Sequence, residues 1–263
     1  MDSSALTMVW LTDPAPRRPL LVLGPSLGTC ARGLWGRCAA LLSDEFEIVG
    51  WELPGHGDGS PATEAFSIAD LADWVAAGVD ALRPGSAFAY AGDSIGGAVG
   101  LNLLLGHEER VTSATLACTG ARIGSPQGWR ERCELVRTQG TDAVVGTSIT
   151  RWFSPGFPAR QPSTVAEFVA TLRAVDAESY ALTCAALAGF DVRERLSSIG
   201  RPVAVIAGAD DVATPVAAGQ EIVDGVAGAW LSVLDGVGHL APVEAPERVA
   251  GVVRATAGLE RTA

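Results

Sequence analysis

Six short apolar runs, each broken off near glycine, proline or aspartate and separated from the next by other sequence, narrow the architectures open to this chain. They are Leu20 to Gly24, Glu47 to Trp51, Ala87 to Ala91, Val111 to Ala117, Pro202 to Ala207 and Ala229 to Leu234. Runs of this kind suit strands buried on both faces, as in a parallel sheet. Between them, Ile68 to Leu82 carries Ile68, Leu71, Ala72, Val75 and Val79 near a 3.6-residue period, with Ser67 and Asp70 placed to cap its start. Gly96 to Leu105 and Pro246 to Ala255 read as two further helices. The alternation predicts an α/β fold: a mostly parallel central sheet flanked by helices on both faces.

The rhythm fails from Arg122 to Phe190, where no strand is expected and Trp129, Trp152, Phe153, Phe157 and Phe168 lie among helical stretches. That is too long for an ordinary crossover. It predicts a helical cap over 122–190, inserted between core strands, with 1–121 and 191–263 forming the core. A chain of 263 residues with 48% apolar content supports one large domain of this kind. A formal net charge of −11 argues against nucleic acid and anionic membrane as partners. No apolar run approaches the ~18 residues of a membrane helix. The start, Met1-Asp2-Ser3-Ser4, lacks the basic stretch and apolar core of a secretory peptide. Five cysteines, an odd number without pairing or metal spacing, predict free thiols in a reducing cytoplasm.

The chemistry concentrates at Gly92-Asp93-Ser94-Ile95-Gly96-Gly97, which follows one predicted strand and opens a predicted helix. G-x-S-x-G in that context forms a tight strand-to-helix turn that exposes its serine as a nucleophile. The glycines are needed because larger side chains would clash in the turn. The N–H of Ile95, at the start of the helix, is a candidate oxyanion donor. A serine hydroxyl needs a base, and the chain has three histidines. His239 follows the last predicted strand, where a base reaches the carboxyl edge of the sheet. His56 lies in a turn and His107 in a polar helix exit. A carboxylate to orient the base is expected at the exit of the Pro202 to Ala207 run, where Asp210 and Asp211 compete.

With these motifs placed, the chain resembles the α/β-hydrolase superfamily over nearly its whole length. Within it, the chain is most similar to the 3-oxoadipate enol-lactonases of the β-ketoadipate pathway. The likeness is carried by Ser26-Leu27-Gly28-Thr29, by Cys118 to Gly124 followed by Gly128-Trp129, by Arg151 to Phe157, by Tyr180-Ala181 and by Gly238 to Pro242. Pro25, where that family is expected to carry Asn, and Asp93, where a small or hydrophobic residue is more usual, depart from the pattern. The resemblance implies the order Ser94, Asp211, His239 for a catalytic triad and selects Asp211 over Asp210. It implies the N–H of Leu27 as second oxyanion donor, with Ser26 beside it. It implies opening of a lactone ring through a Ser94 acyl-enzyme, without metal or organic cofactor.

A local charge excess points to a small anionic lactone or ester as substrate. Between Gly120 and Arg160 there are six arginines against three acids, a patch that attracts carboxylates. On a helix Trp129, Arg132 and Val136 share a face; Ser26, Trp129, Arg132 and Trp152 are candidate substrate contacts, with cap core the alternative for the two tryptophans. The rivals are another carboxylesterase, lactonase, C–C hydrolase or perhydrolase on the same apparatus, or a catalytically idle ligand-binding relative.

Overall fold

In a computed structural model, residues 6–15 and 17–259 are described; the reading of Met1 to Ser4 lies outside them. The strands are β1 (Met8–Trp10), β2 (Leu20–Gly24), β3 (Glu47–Trp51), β4 (Phe88–Asp93), β5 (Val111–Ala117), β6 (Val203–Gly208) and β7 (Trp230–Leu234). They form one sheet in the order β1-β3-β2-β4-β5-β6-β7, with β1 antiparallel to β3 and every other neighbour parallel. The expected α/β architecture is therefore present. Strands β2 to β6 are buried almost throughout, as both-face burial requires.

The helices before β5 are α1 (Ala31–Leu42), α2 (Ile68–Leu82) and α3 (Ile95–Gly106). The predicted cap of α2 is complete: the Ser67 hydroxyl accepts from the Asp70 N–H, and the Asp70 carboxylate accepts from the Ser67 N–H. Between β5 and β6 the described chain runs through helices alone: α4 (Pro126–Gln139), α5 (Val145–Trp152), α6 (Phe157–Arg160), α7 (Pro162–Ala174) and α8 (Ala177–Ala188), with short 3₁₀ turns. After β6 come α9 (Val216–Gly225), α10 (Ala241–Glu244) and α11 (Pro246–Thr256). No helix of the described residues is long and apolar enough to cross a membrane.

Two expectations need correction, and one strand was not anticipated. The run from Ala87 does not stop at Ala91: β4 continues through Gly92 and Asp93, because these residues still pair with Leu116 and Ala117 of β5. The run ending at Leu234 is not buried on both faces. It is an edge strand, flanked only by β6, with Trp230 and Val233 exposed. Strand β1 falls outside the six runs. It is three residues long and partly exposed, so it carries no buried apolar run.

Candidate active site

The parallel strands β2, β4, β5, β6 and β7 all end at one edge of the sheet; Ser26, Leu27, Ser94, Asp211 and His239 lie where the chain leaves it, whereas Ile95 opens α3, Trp129 and Arg132 lie in α4 and Trp152 ends α5. Ser94 sits between β4 and α3 with φ 56° and ψ −114°, one of two described non-glycine residues with positive φ. Such a conformation costs of order 1–3 kcal/mol and is held by its surroundings. Here the Ser94 N–H donates to the Ala117 carbonyl (2.9 Å), its carbonyl accepts from the Thr119 hydroxyl (2.7 Å), and the Gly96 N–H donates to the Pro25 carbonyl (3.0 Å). The flanking glycines are sterically required. A Cβ on Gly92 would lie 2.2 Å from the Gly96 carbonyl oxygen, and one on Gly96 2.6 Å from that of Gly24.

His239 follows β7. Its Nδ1 lies 2.7 Å from Oδ2 of Asp211, which follows β6. The same oxygen accepts from the Thr214 hydroxyl (2.7 Å), while Oδ1 accepts from the N–H groups of Ala213 and Thr214. Burial works against charge on Asp211, but His239 and the Thr214 hydrogen bonds outweigh it and hold the carboxyl below its usual range. The geometry thus separates the two aspartates: Asp211 is buried and bonded to His239, whereas Asp210 is exposed. His107 is a surface residue whose Nε2 meets Asp73. His56 is fully buried, its Nδ1 on the Pro54 carbonyl and its ring stacked on Tyr180. Burial pushes its pKa down to about 4, so the imidazole is neutral.

The loop after β2 is a turn closed by the Thr29 N–H on the Ser26 carbonyl (3.1 Å), with φ +82° at Gly28. That angle at the third position marks a type II turn, in which the second residue's N–H is free. Leu27 occupies that position. Ile95 is the first residue of α3, where an N–H has no acceptor within the helix. The Thr29 hydroxyl braces the turn by accepting from the Ser26 N–H and donating to the Ser26 carbonyl.

One cavity gathers Ser26, Leu27, Ser94, Trp129, Arg132, Trp152 and His239. Sequence reasoning assigned no contact role to Arg151, Tyr180 and Ser148, which also line it. The cavity holds about 30 Å³, room for one or two waters. The Arg132 guanidinium donates to the Tyr180 hydroxyl from Nε (2.9 Å) and Nη2 (2.7 Å), and to the Ser148 hydroxyl (2.9 Å). No salt bridge reaches Arg132 or Arg151 among the described residues. Burial and the neighbouring Arg132 lower the pKa of Arg151. Of the six arginines that made the sequence patch, these two face the cavity, and Arg137 pairs with Glu178 at 2.6 Å. Tyr180 was signalled only through the motif Tyr180-Ala181, because its contacts join α4 and α8 across 48 residues.

Residues 20–252 match the alpha/beta hydrolase family. The chain belongs to that family. It is 37% identical over 230 residues to 3-oxoadipate enol-lactonase 2 of Acinetobacter baylyi, covering 88% of this chain and 85% of the relative. It is 33% identical, with the same coverage, to 3-oxoadipate enol-lactonase 1 of that organism. The crystal structure of the enol-lactonase from Burkholderia xenovorans superposes with a TM-score of 0.88 at 29% identity, covering 95% of each chain. For a hydrolase of this family, the sheet edge that carries Ser94, Asp211 and His239 is the natural place to look for chemistry.

Proposed function

We propose that this chain is a serine hydrolase that opens the lactone ring of 3-oxoadipate enol-lactone to give 3-oxoadipate. The observation that carries the reading is a single cavity holding Ser94, His239 and an Arg132 guanidinium whose bonded partners are neutral hydroxyls. A guanidinium held by hydroxyls keeps its charge available for a carboxylate. The likeness to two enol-lactonases supplies the lactone.

In this reading His239 takes the proton from the Ser94 hydroxyl as its oxygen attacks the lactone carbonyl. Asp211, bonded to Nδ1, fixes the tautomer with Nε2 as the base and stabilises the imidazolium. The N–H groups of Leu27 and Ile95 hold the oxyanion. The ring C–O bond then breaks, and the enol oxygen takes the proton back from His239 while remaining tethered to the acyl group. A water activated by His239 attacks the acyl carbon, Ser94 leaves with the proton, and the enol tautomerises to the ketone. An enolate leaves readily, so the oxyanion hole is the larger contributor. One such donor is worth about 2.7–4 kcal/mol elsewhere. Residues 122–190 serve as a cap that closes the cavity over a core of 1–121 and 191–263. The unpaired cysteines among the described residues suit a reducing cytoplasm.

Purified protein offered the enol-lactone and p-nitrophenyl acetate side by side tests this. We expect the lactone to be preferred, an acyl-enzyme mass at Ser94, and none in S94A. R132A raises KM for the lactone at least tenfold while leaving KM for the uncharged ester within threefold. Turnover of the ester with the lactone untouched removes the substrate assignment, and no acyl adduct at Ser94 removes the mechanism.

A further inference from the structure

The loop that carries His239 is held from outside the sheet. Three consecutive N–H groups, those of Gly238, His239 and Leu240, set its path. The first donates to Oε1 of Glu244 (3.0 Å), and the other two donate to the carbonyl of Trp152 at 2.9 and 3.0 Å. Trp152 ends α5 and lines the cavity, and a side chain on Gly28 would run into its ring. One residue of the helical segment therefore abuts both the Leu27 turn and the His239 loop.

Glu244 closes this seam. It ends the four-residue α10, just beyond His239. Its Oε1 accepts from the Ser154 N–H (2.9 Å) as well as from Gly238, and its Oε2 accepts from the Ser154 hydroxyl (2.5 Å). No salt bridge reaches it among the described residues. The packing leaves no slack: a Cβ on Gly238 would lie 2.5 Å from the Ser154 nitrogen and 2.7 Å from the Phe153 carbonyl carbon. One carboxylate thus pins the residue before His239 to the residue two beyond Trp152.

We infer that Glu244 is a positioning residue for His239, locking the helical segment over the cavity to the loop that carries the base. This rests on the serine-hydrolase reading. A ligand seated against Trp152 then presses on the backbone that sets the height of the imidazole above Ser94. A base must sit within hydrogen-bond reach of the proton it takes, and misplacement by an ångström costs about a hundredfold.

The test compares E244Q, E244D and E244M in the full chain. Glutamine keeps a carbonyl at Oε1 for both N–H groups and can donate to the Ser154 hydroxyl, so E244Q stays within threefold of the parent. Aspartate withdraws the carboxylate by one methylene, and methionine removes the acceptors. We expect kcat on p-nitrophenyl acetate to fall at least fivefold in E244D and twentyfold in E244M, with KM within twofold. Per-site labelling of Ser94 by an alkyl p-nitrophenyl phosphonate slows in parallel. The downfield proton resonance of the His239–Asp211 bond shifts or broadens in E244M and not in E244Q. Should E244M not fold, E244D carries the test. Two results overturn the inference: labelling rates in the folded variants within twofold of the parent, or lower activity accounted for entirely by fewer titratable sites. A parent that forms no adduct at Ser94 sinks the underlying hydrolase reading instead.

Discussion

The residue before the proposed nucleophile buries a carboxyl beside the site. Asp93 is wholly buried, and neither of its oxygens has a hydrogen-bond partner among the described residues. Burial, and then the charge of Asp211, push its carboxyl well above the usual range, with the nearby Ser26 hydroxyl only partly offsetting them. The folded state therefore holds this proton more tightly than the unfolded chain does. Stability is full below about pH 4 and is lost as pH rises toward the folded pKa. Asparagine at this position carries no charge at any pH. D93N should be more stable than the parent at pH 8, because it has no proton to lose on unfolding; each unit by which the folded pKa exceeds the unfolded one contributes about 1.4 kcal/mol. The gap should close toward pH 4, and activity should stay within a few-fold because Asp93 does not line the cavity. Melting curves at intervals from pH 4 to 8 decide this, and a gap that does not vary with pH would count against it.

At the scale of elements, the β2 loop shows how a small brace supports chemistry. The Thr29 hydroxyl spans the turn in both directions, and the free N–H of Leu27 depends on that turn. T29V keeps the shape and removes both bonds. We expect kcat on the lactone to fall about tenfold, part of the 10²–10³ that one oxyanion donor is worth, with KM little changed. T115V deletes an equally buried hydroxyl, bonded to Thr256 of α11; it should lower stability and spare kcat. Equal kcat in T29V and the parent would refute the bracing role. The sequence was legible at this scale wherever the signal is local. Buried runs announced β2 to β6, Ser67 and Asp70 announced the start of α2, and glycine spacing announced the turn at Ser94. The rest depends on contacts between segments far apart in the chain. Glu244 meets Ser154 across 90 residues and Arg132 meets Tyr180 across 48; no periodicity marks such pairs. Strand β1 escaped because a short, half-exposed edge needs no apolar run.

Across the whole molecule, several buried titratable groups pull stability in opposite directions with pH. Glu52 is buried, and both its oxygens accept from the Ala31 N–H that opens α1; burial pushes its pKa up to about 7. Its contribution is full below its unfolded value of about 4.3 and lost as pH climbs to about 7, a change of order 3 kcal/mol. Asp93 and Glu244, whose carboxyls burial also raises, act in the same sense. His56 acts in the other: its folded pKa of about 4 lies below the unfolded 6.5, so its contribution is full above pH 6.5 and fades as pH falls to about 4. Between about pH 4.5 and 6.5 Glu52 and His56 roughly cancel, which leaves Asp93 and Glu244 to tilt the curve. Self-repulsion tilts it the same way, because a chain with pI near 4.7 gains negative charge as pH rises. The stability maximum should therefore lie on the acid side of neutrality. The Tm should be higher at pH 5.5 than at pH 8 by several degrees, at roughly 2–4 °C per kcal/mol for a chain of this size. The double variant E52Q/D93N, whose glutamine still accepts from Ala31, should lose most of that difference. Calorimetry of parent and variant at both pH values is sufficient: a parental Tm that is flat or rises from pH 5.5 to 8 would mean that the buried carboxyls do not govern the balance.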